Sequence, residues 1–179
     1  MKIGIDMDGV IIDTINFISK EFSDIFGCLI TPDDIAHKLG EIKGADEIFL
    51  ERGEYLLCSL DPMDKAAEVI NSLNENHEIY IISARFSIHY DATVKWLNEH
   101  EIKVNEVLFT EGSGKADICR KYDINLFIED SMKNALEIAS AGIKVILLTT
   151  DYNSAVKSSA IEYCDDWDDI YRYVNSKSP

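Results

Sequence analysis

The chain is short of basic residues, of patterned cysteines and of long apolar runs, and each shortage removes a class of function. Lysine and arginine total 17 against 33 aspartates and glutamates, a formal net charge of −16. Nucleic-acid polymers and anionic membranes need a basic footprint, so neither is expected as a partner. A small phosphorylated substrate stays open, provided a cation and one or two lysines neutralise it locally. No apolar stretch reaches transmembrane length. The N-terminus lacks the basic-then-apolar plan of a signal peptide, because a carboxylate already stands at Asp6. Cys28, Cys58, Cys119 and Cys164 are scattered, with no CxxC pair and no histidine at ligand spacing. They read as reduced core residues of a cytoplasmic protein. His37, His77, His89 and His100 likewise show no metal spacing, and there is no repeat, low-complexity tract or linker.

What is present is an alternation. The 179 residues fit one α/β domain, with room for a small inserted subdomain. Five short apolar runs read as buried strands: Lys2 to Ile5, Glu78 to Ile82, Val104 to Phe109, Asn125 to Ile128 and Lys144 to Leu148. Between them lie amphipathic stretches, Met63 to Leu73, Ile88 to Asn98 and Ser131 to Ala141, and a last one covers Asp165 to Val174. Strands alternating with helices of this length imply right-handed βαβ units and a Rossmann-like parallel sheet. About 70 residues separate the first two strands, far more than one crossover helix needs. That gap holds helix-like pieces at Phe17 to Phe26, after Thr31-Pro32 and from Ala45 to Tyr55. The expected organisation is an α/β core of residues 1–14 and 61–179 with a small helical cap of residues 15–60 over the carboxyl end of the sheet.

Ligands of such sheets bind beyond the carboxyl ends of the strands. Asp6, Asp8 and Gly9 follow the first strand; Ser83, Ala84 and Arg85 follow the second; Gly112-Ser113-Gly114-Lys115 comes soon after the third; Glu129 and Asp130 follow the fourth. Clustered carboxylates repel one another unless a cation compensates, and oxygen-only ligands suit a hard ion such as magnesium. Asp6 could then attack phosphorus, and Asp8 could protonate the leaving oxygen and later activate water. Ser83 and Lys115 would hold phosphoryl oxygens, and Gly9 would let backbone N–H groups close around them. Each piece has an ordinary explanation alone: a turn for Asp-x-Asp-Gly, a helix cap for Ser83, a helix dipole for Glu129-Asp130. One shared explanation covers them all. The Gly-Ser-Gly-Lys run lacks the Ser or Thr of a phosphate-binding loop, since Ala116 follows the lysine. A signalling receiver domain also fails, because Phe109-Thr110-Glu111 offers no aspartate after the third strand.

The order Asp6-x-Asp8-Gly9-Val10, Ser83, Lys115, Glu129-Asp130 resembles the four motifs of the haloacid dehalogenase superfamily. The Ile5-Asp6-Met7-Asp8-Gly9-Val10 start, the short cap and Ile82-Ser83-Ala84-Arg85 look most like its 5'(3')-deoxyribonucleotidase-like group. The resemblance implies a Mg²⁺-dependent phosphomonoester hydrolase working through an aspartyl-phosphate, with a small phosphorylated metabolite, above all a nucleotide, as substrate. It implies Asp6 as nucleophile and Asp8 as acid/base. The metal would take the side chains of Asp6 and Asp130 and the backbone carbonyl of Asp8. Ser83 and Lys115, with Ala84 and Gly9 in the surrounding loops, would bind phosphate. Two features depart from the usual pattern. Glu129 stands where an aspartate is usual, so it would reach the metal through water. Arg85 has no fixed role there, and could grip a second anionic group or form an ion pair. Other readings are a sugar-phosphate phosphatase, a phosphotransferase or mutase, and a non-catalytic binding module. Phe17, Phe22, Phe26 and Phe49 could stack on a base, but aromatics at helical spacing are more often core. A homodimer is compatible with the sequence.

Overall fold

Strand β1 (Lys2–Ile5) is central to a sheet that the chain builds outward in both directions. The computed structural model describes residues 1–153 and 157–177. Among these, six parallel strands lie in the order β3-β2-β1-β4-β5-β6. They comprise β1, β2 (Glu78–Ser83), β3 (Glu106–Phe109), β4 (Leu126–Glu129), β5 (Lys144–Leu148) and β6 (Glu162–Cys164). The five expected strands are all present. The sixth is a three-residue edge strand, paired Ile146 to Glu162 through Leu148 to Cys164, and too short for any periodicity to announce it.

Alternate residues of the strands feed two cores, as the period of two demands. Ile3, Ile5, Ile79, Ile81, Ile128 and Ile146 face one layer of helices: α4 (Ala66–Asn74), α5 (Tyr90–Glu99) and α8 (Trp167–Lys177). Tyr80, Ile82, Phe127, Val145 and Leu147 face the other, α6 (Ala116–Lys121) and α7 (Met132–Ser140). Both faces are covered, so the inner strands read as continuous apolar runs rather than alternating ones. Cys119 and Cys164 belong to these cores, but Cys28 is exposed and Cys58 half-buried, so the expectation of four core cysteines holds only for two.

Between β1 and α4 come three α-helices, α1 (Thr14–Phe26), α2 (Pro32–Lys38) and α3 (Ala45–Cys58). Local chemistry sets their ends. Asp13 caps α1 by accepting from the Asn16 N–H, and Gly27 closes it at φ +64°. Thr31 and Asp34 form a reciprocal capping box at α2, with Pro32 in the first turn. Their apolar faces meet in a separate cluster of Ile18, Phe22, Ile35, Ala45, Leu56 and Leu57. Phe22 stands edge-on to both Phe26 and Phe49, at centroid distances of 5.7 and 5.8 Å. Phe22 is therefore core, whereas Phe49 is half-buried and also faces the cleft described below.

Candidate active site

The chain reverses direction across the sheet between β1 and β4. It winds from β1 to β2 to β3, then returns to place β4 on the other side of β1. At such a switch point two loops diverge and leave a crevice beyond the carboxyl ends. The Asp6 N–H donates to the Ile128 carbonyl at 3.0 Å, carrying the β1–β4 ladder to the edge of that crevice. Asp6 therefore sits beside Glu129 and Asp130.

Carboxylate oxygens of Asp6, Glu129 and Asp130 lie within 4.8 Å of one another, and all three residues are buried. Lys115, whose side chain is 2% exposed, enters from the start of α6 and bridges two of them: Nζ is 2.5 Å from Asp6 Oδ2 and 2.8 Å from Glu129 Oε2. Burial pushes the Asp6 carboxyl up to about 7, Glu129 adds to the rise, and Lys115 pulls against it. Burial and then the Asp6 charge push Asp130 up to about 7 as well. Glu129 is also raised, first by burial. Burial alone would push Lys115 down, but the charges of Asp6 and Glu129 hold it above its ordinary value. Three carboxylates against one ammonium leave two formal negative charges in a water-poor site. A divalent hard cation matches that excess in sign, size and ligand type.

The neighbours of the cluster are aimed. Glu129 Oε1 accepts from Asn134 Nδ2 at 2.9 Å and from the Ser131 N–H at 3.3 Å, while Oε2 takes Lys115. Both oxygens are thus engaged by protein donors, and the geometry makes Glu129 the anchor of Lys115. The Tyr152 hydroxyl donates to Asp130 Oδ2 at 2.7 Å, and Asn153 Nδ2 donates to the Asp130 carbonyl at 2.7 Å. Gly9, at φ +78°, leaves room for this arrangement: a Cβ there would lie 2.1 Å from Asp130 Oδ2 and 2.7 Å from the Tyr152 hydroxyl. The Gly9 N–H itself donates to the Ile12 carbonyl at 2.8 Å, so the glycine contributes space.

Asp8 stands apart from the three-carboxylate cluster. Its carboxylate receives Arg85 in a two-pronged pair, Nε to Oδ2 at 2.8 Å and Nη2 to Oδ1 at 2.6 Å. Burial would push Asp8 up, but the charge and hydrogen bonds of Arg85 outweigh it and hold the carboxyl below its ordinary value. Arg85 is buried, so a surface ion pair is not what it makes, and its fork turns inward rather than toward a second anion. Ser83 is buried at the end of β2, and its Oγ accepts from the Arg85 N–H at 3.3 Å; Ala84 between them is exposed. Tyr152, Asn153 and Asn134 went unnoticed in the sequence. The rule that singles out strand ends, applied to β5, leads to Thr150-Asp151-Tyr152-Asn153 just past Leu148.

Above Asp8, Ala84 and Arg85 opens a cleft of about 660 Å³ between the helical insertion and the sheet edge. Its walls are mainly apolar, with Ile15, Ile18, Leu39, Phe49 and Leu50 on the insertion and Phe86 and Ile88 on the loop after β2.

A doubly wound parallel sheet with these acidic loops and a buried lysine at its switch point defines a Rossmann-like protein of the haloacid dehalogenase type. Solved structures agree on the fold. A haloacid dehalogenase-like hydrolase of Streptococcus pneumoniae superposes with a TM-score of 0.69 at 15% identity, over 97% of each chain. A protein of the same type from Bacillus subtilis, solved bound to magnesium, gives 0.66 at 13% identity, over 97% of this chain and 98% of that one. Within that class, the chain belongs to the family described as 5' nucleotidase, deoxy (pyrimidine), cytosolic type C protein, whose profile matches residues 1–178. A nucleotidase of Clostridium acetobutylicum is 30% identical over 181 aligned residues, which cover 98% of this chain and 94% of that protein. The protein is therefore a phosphoric monoester hydrolase. No helix among the described residues is long and apolar enough to cross a membrane.

Proposed function

We propose that the protein is a magnesium-dependent nucleotidase that removes phosphate from a nucleoside monophosphate through a phosphorylated Asp6, in the cytoplasm. The observation that carries this reading is the buried set Asp6, Lys115, Glu129 and Asp130, gathered on the loop side of one switch point with Asp8 two residues from Asp6.

Asp6 Oδ2 attacks phosphorus while Lys115 offsets charge on Asp6 and on the transferring group. Asp8, which Arg85 favours in its ionised form, first takes up a proton from solvent, and as the bond from phosphorus to the sugar oxygen breaks it gives that proton to the leaving oxygen. The resulting Asp8 carboxylate takes a proton from water, the water attacks the aspartyl-phosphate, and phosphate leaves with Asp6 regenerated. Asp6 and Asp130 would hold magnesium, with the Asp8 carbonyl, while Glu129 serves the site through Lys115. When bound, the ion supplies charge compensation for the carboxylates and polarises the phosphoryl oxygens. Ser83 and the Ala84 backbone complete the phosphate cradle at the end of β2. The helices of residues 15–60 act as a cap, and the apolar cleft beneath them accepts the nucleoside. The nucleotidase relatives favour a nucleotide over a sugar phosphate.

The test is a phosphate-release screen over nucleoside monophosphates and sugar phosphates with magnesium, using Asp6→Asn as the blank. Turnover of one or more nucleotides that vanishes in the blank and with chelator is expected. Preferred turnover of sugar phosphates, or release that survives in the blank, contradicts the reading.

A further inference from the structure

We propose that Arg85 is a positioning residue: it fixes the direction of the Asp8 carboxylate and ties that direction to the seating of helix α3. The inference rests on the acid/base role given to Asp8 above and deepens it.

An arginine side chain has five N–H donors in a rigid plane. All five of Arg85 are spent on protein atoms. Nε and one Nη2 hydrogen take the two oxygens of Asp8, at 2.8 and 2.6 Å. The other Nη2 hydrogen goes to the Leu57 carbonyl at 2.8 Å. Nη1 donates to Thr93 Oγ1 at 2.9 Å and to Cys58 Sγ at 3.7 Å. Thr93 is itself oriented, since its hydroxyl donates to the His89 carbonyl at 2.8 Å. No donor is left over for a substrate anion.

The partners come from three places: the loop after β1, the last turn of α3, and α5. Leu57 lies among the final carbonyls of α3, which have no partner within their helix, and a cation there is also favoured by the helix dipole. A fork clamped on both carboxylate oxygens allows one orientation of that carboxylate, whereas a single ammonium would let it swing. Arg85 should therefore matter most when the departing oxygen is a poor leaving group.

The discriminating experiment compares kcat/KM for a nucleoside monophosphate with that for p-nitrophenyl phosphate, whose departing phenolate needs little protonation. The variants are Asp8→Asn, Arg85→Lys and Thr93→Val, each assayed with magnesium. Nucleotide binding is measured separately in Asp6→Asn, with and without Arg85→Lys. We expect Arg85→Lys to lower kcat/KM for the nucleotide by at least about tenfold, a fraction of what general acid catalysis supplies. The same variant should change the aryl phosphate by less than about threefold and leave the dissociation constant of the nucleotide within about twofold. Thr93→Val, which frees one prong and keeps the ion pair, should show the same split in weaker form. Equal losses on both substrates would make Arg85 a purely structural residue and overturn the proposal, as would weakened nucleotide binding, the mark of a substrate grip. If Asp8→Asn is slow on the nucleotide while Arg85→Lys is normal, only this inference fails. If Asp8→Asn matches wild type, the acid/base assignment fails with it.

Discussion

Replacing Lys115 by methionine keeps the length of the side chain and deletes the one ammonium between Asp6 and Glu129. Its Nζ lies 2.5 Å from one carboxylate and 2.8 Å from the other, in a site where Lys115 and Glu129 are 2% and 0% exposed. Water cannot take over its role. Removing one partner from a buried ionic set costs about 3–5 kcal/mol, because the remaining charge has lost its compensation. In a domain of this size that corresponds to a drop in Tm of roughly 6–20 °C. The loss should depend on pH in a definite direction. Without the ammonium the carboxylates are still harder to ionise, so acid, which protonates them, relieves the penalty. Thermal unfolding of wild type and Lys115→Met in chelator should therefore diverge strongly at about pH 8 and converge toward about pH 5. Added magnesium should recover part of the loss, because it supplies positive charge to the same cluster. A variant that unfolds with wild type across this range would refute the charge balance drawn for the site.

Two further outcomes follow from the same geometry. Asp6 and Asp130 are both raised from 3.8 to about 7 in the folded chain, first by burial. Carboxyls raised in this way favour the folded state while protonated, and that contribution is lost as pH climbs from the ordinary carboxyl value through about 7. The gain in Tm on adding magnesium is accordingly expected to be larger at about pH 8 than at about pH 5, and an equal or inverted gain in differential scanning calorimetry would count against metal binding by these two residues. Gly9→Ala would set a methyl 2.1 Å from Asp130 Oδ2 on a backbone already at φ +78°. Displacing Asp130 by an ångström should cost about a hundredfold in turnover, and an unimpaired variant would show that Asp130 need not stay where Gly9 admits it.

How much of this was legible beforehand differs by the range of the interaction. The five longer strands announced themselves because a parallel sheet covered on both faces turns strands into short apolar runs, as in Ile79 to Ile82. β6 did not, since Glu162-Tyr163-Cys164 is an edge strand with one buried residue. Asp6, Lys115, Glu129 and Asp130, which the structure brings together, could be picked out beforehand because chemistry in this architecture gathers beyond strand ends, and the chain order places those ends. The partner of each group was not readable. Arg85 meets Asp8 across 77 residues of sequence, and whether its fork points outward or inward depends on where the last turn of α3 presents the Leu57 carbonyl. That Lys115 and Asn134 both converge on Glu129 was not readable either, because each reaches it from a different helix. Tyr152 hides for a simpler reason. It lies past the end of β5, on a turn whose return toward Asp130 leaves no local pattern.

The central claim, that Asp6 carries the phosphoryl group, is tested most directly by trapping the intermediate. Enzyme turning over a nucleoside monophosphate with magnesium is quenched and treated with borohydride, which reduces an acyl phosphate to the alcohol, and the N-terminal peptide is sequenced by mass spectrometry. The account predicts homoserine at position 6, dependent on both substrate and magnesium. Phosphate release with Asp6 recovered unchanged, or reduction at a different carboxylate, would contradict it.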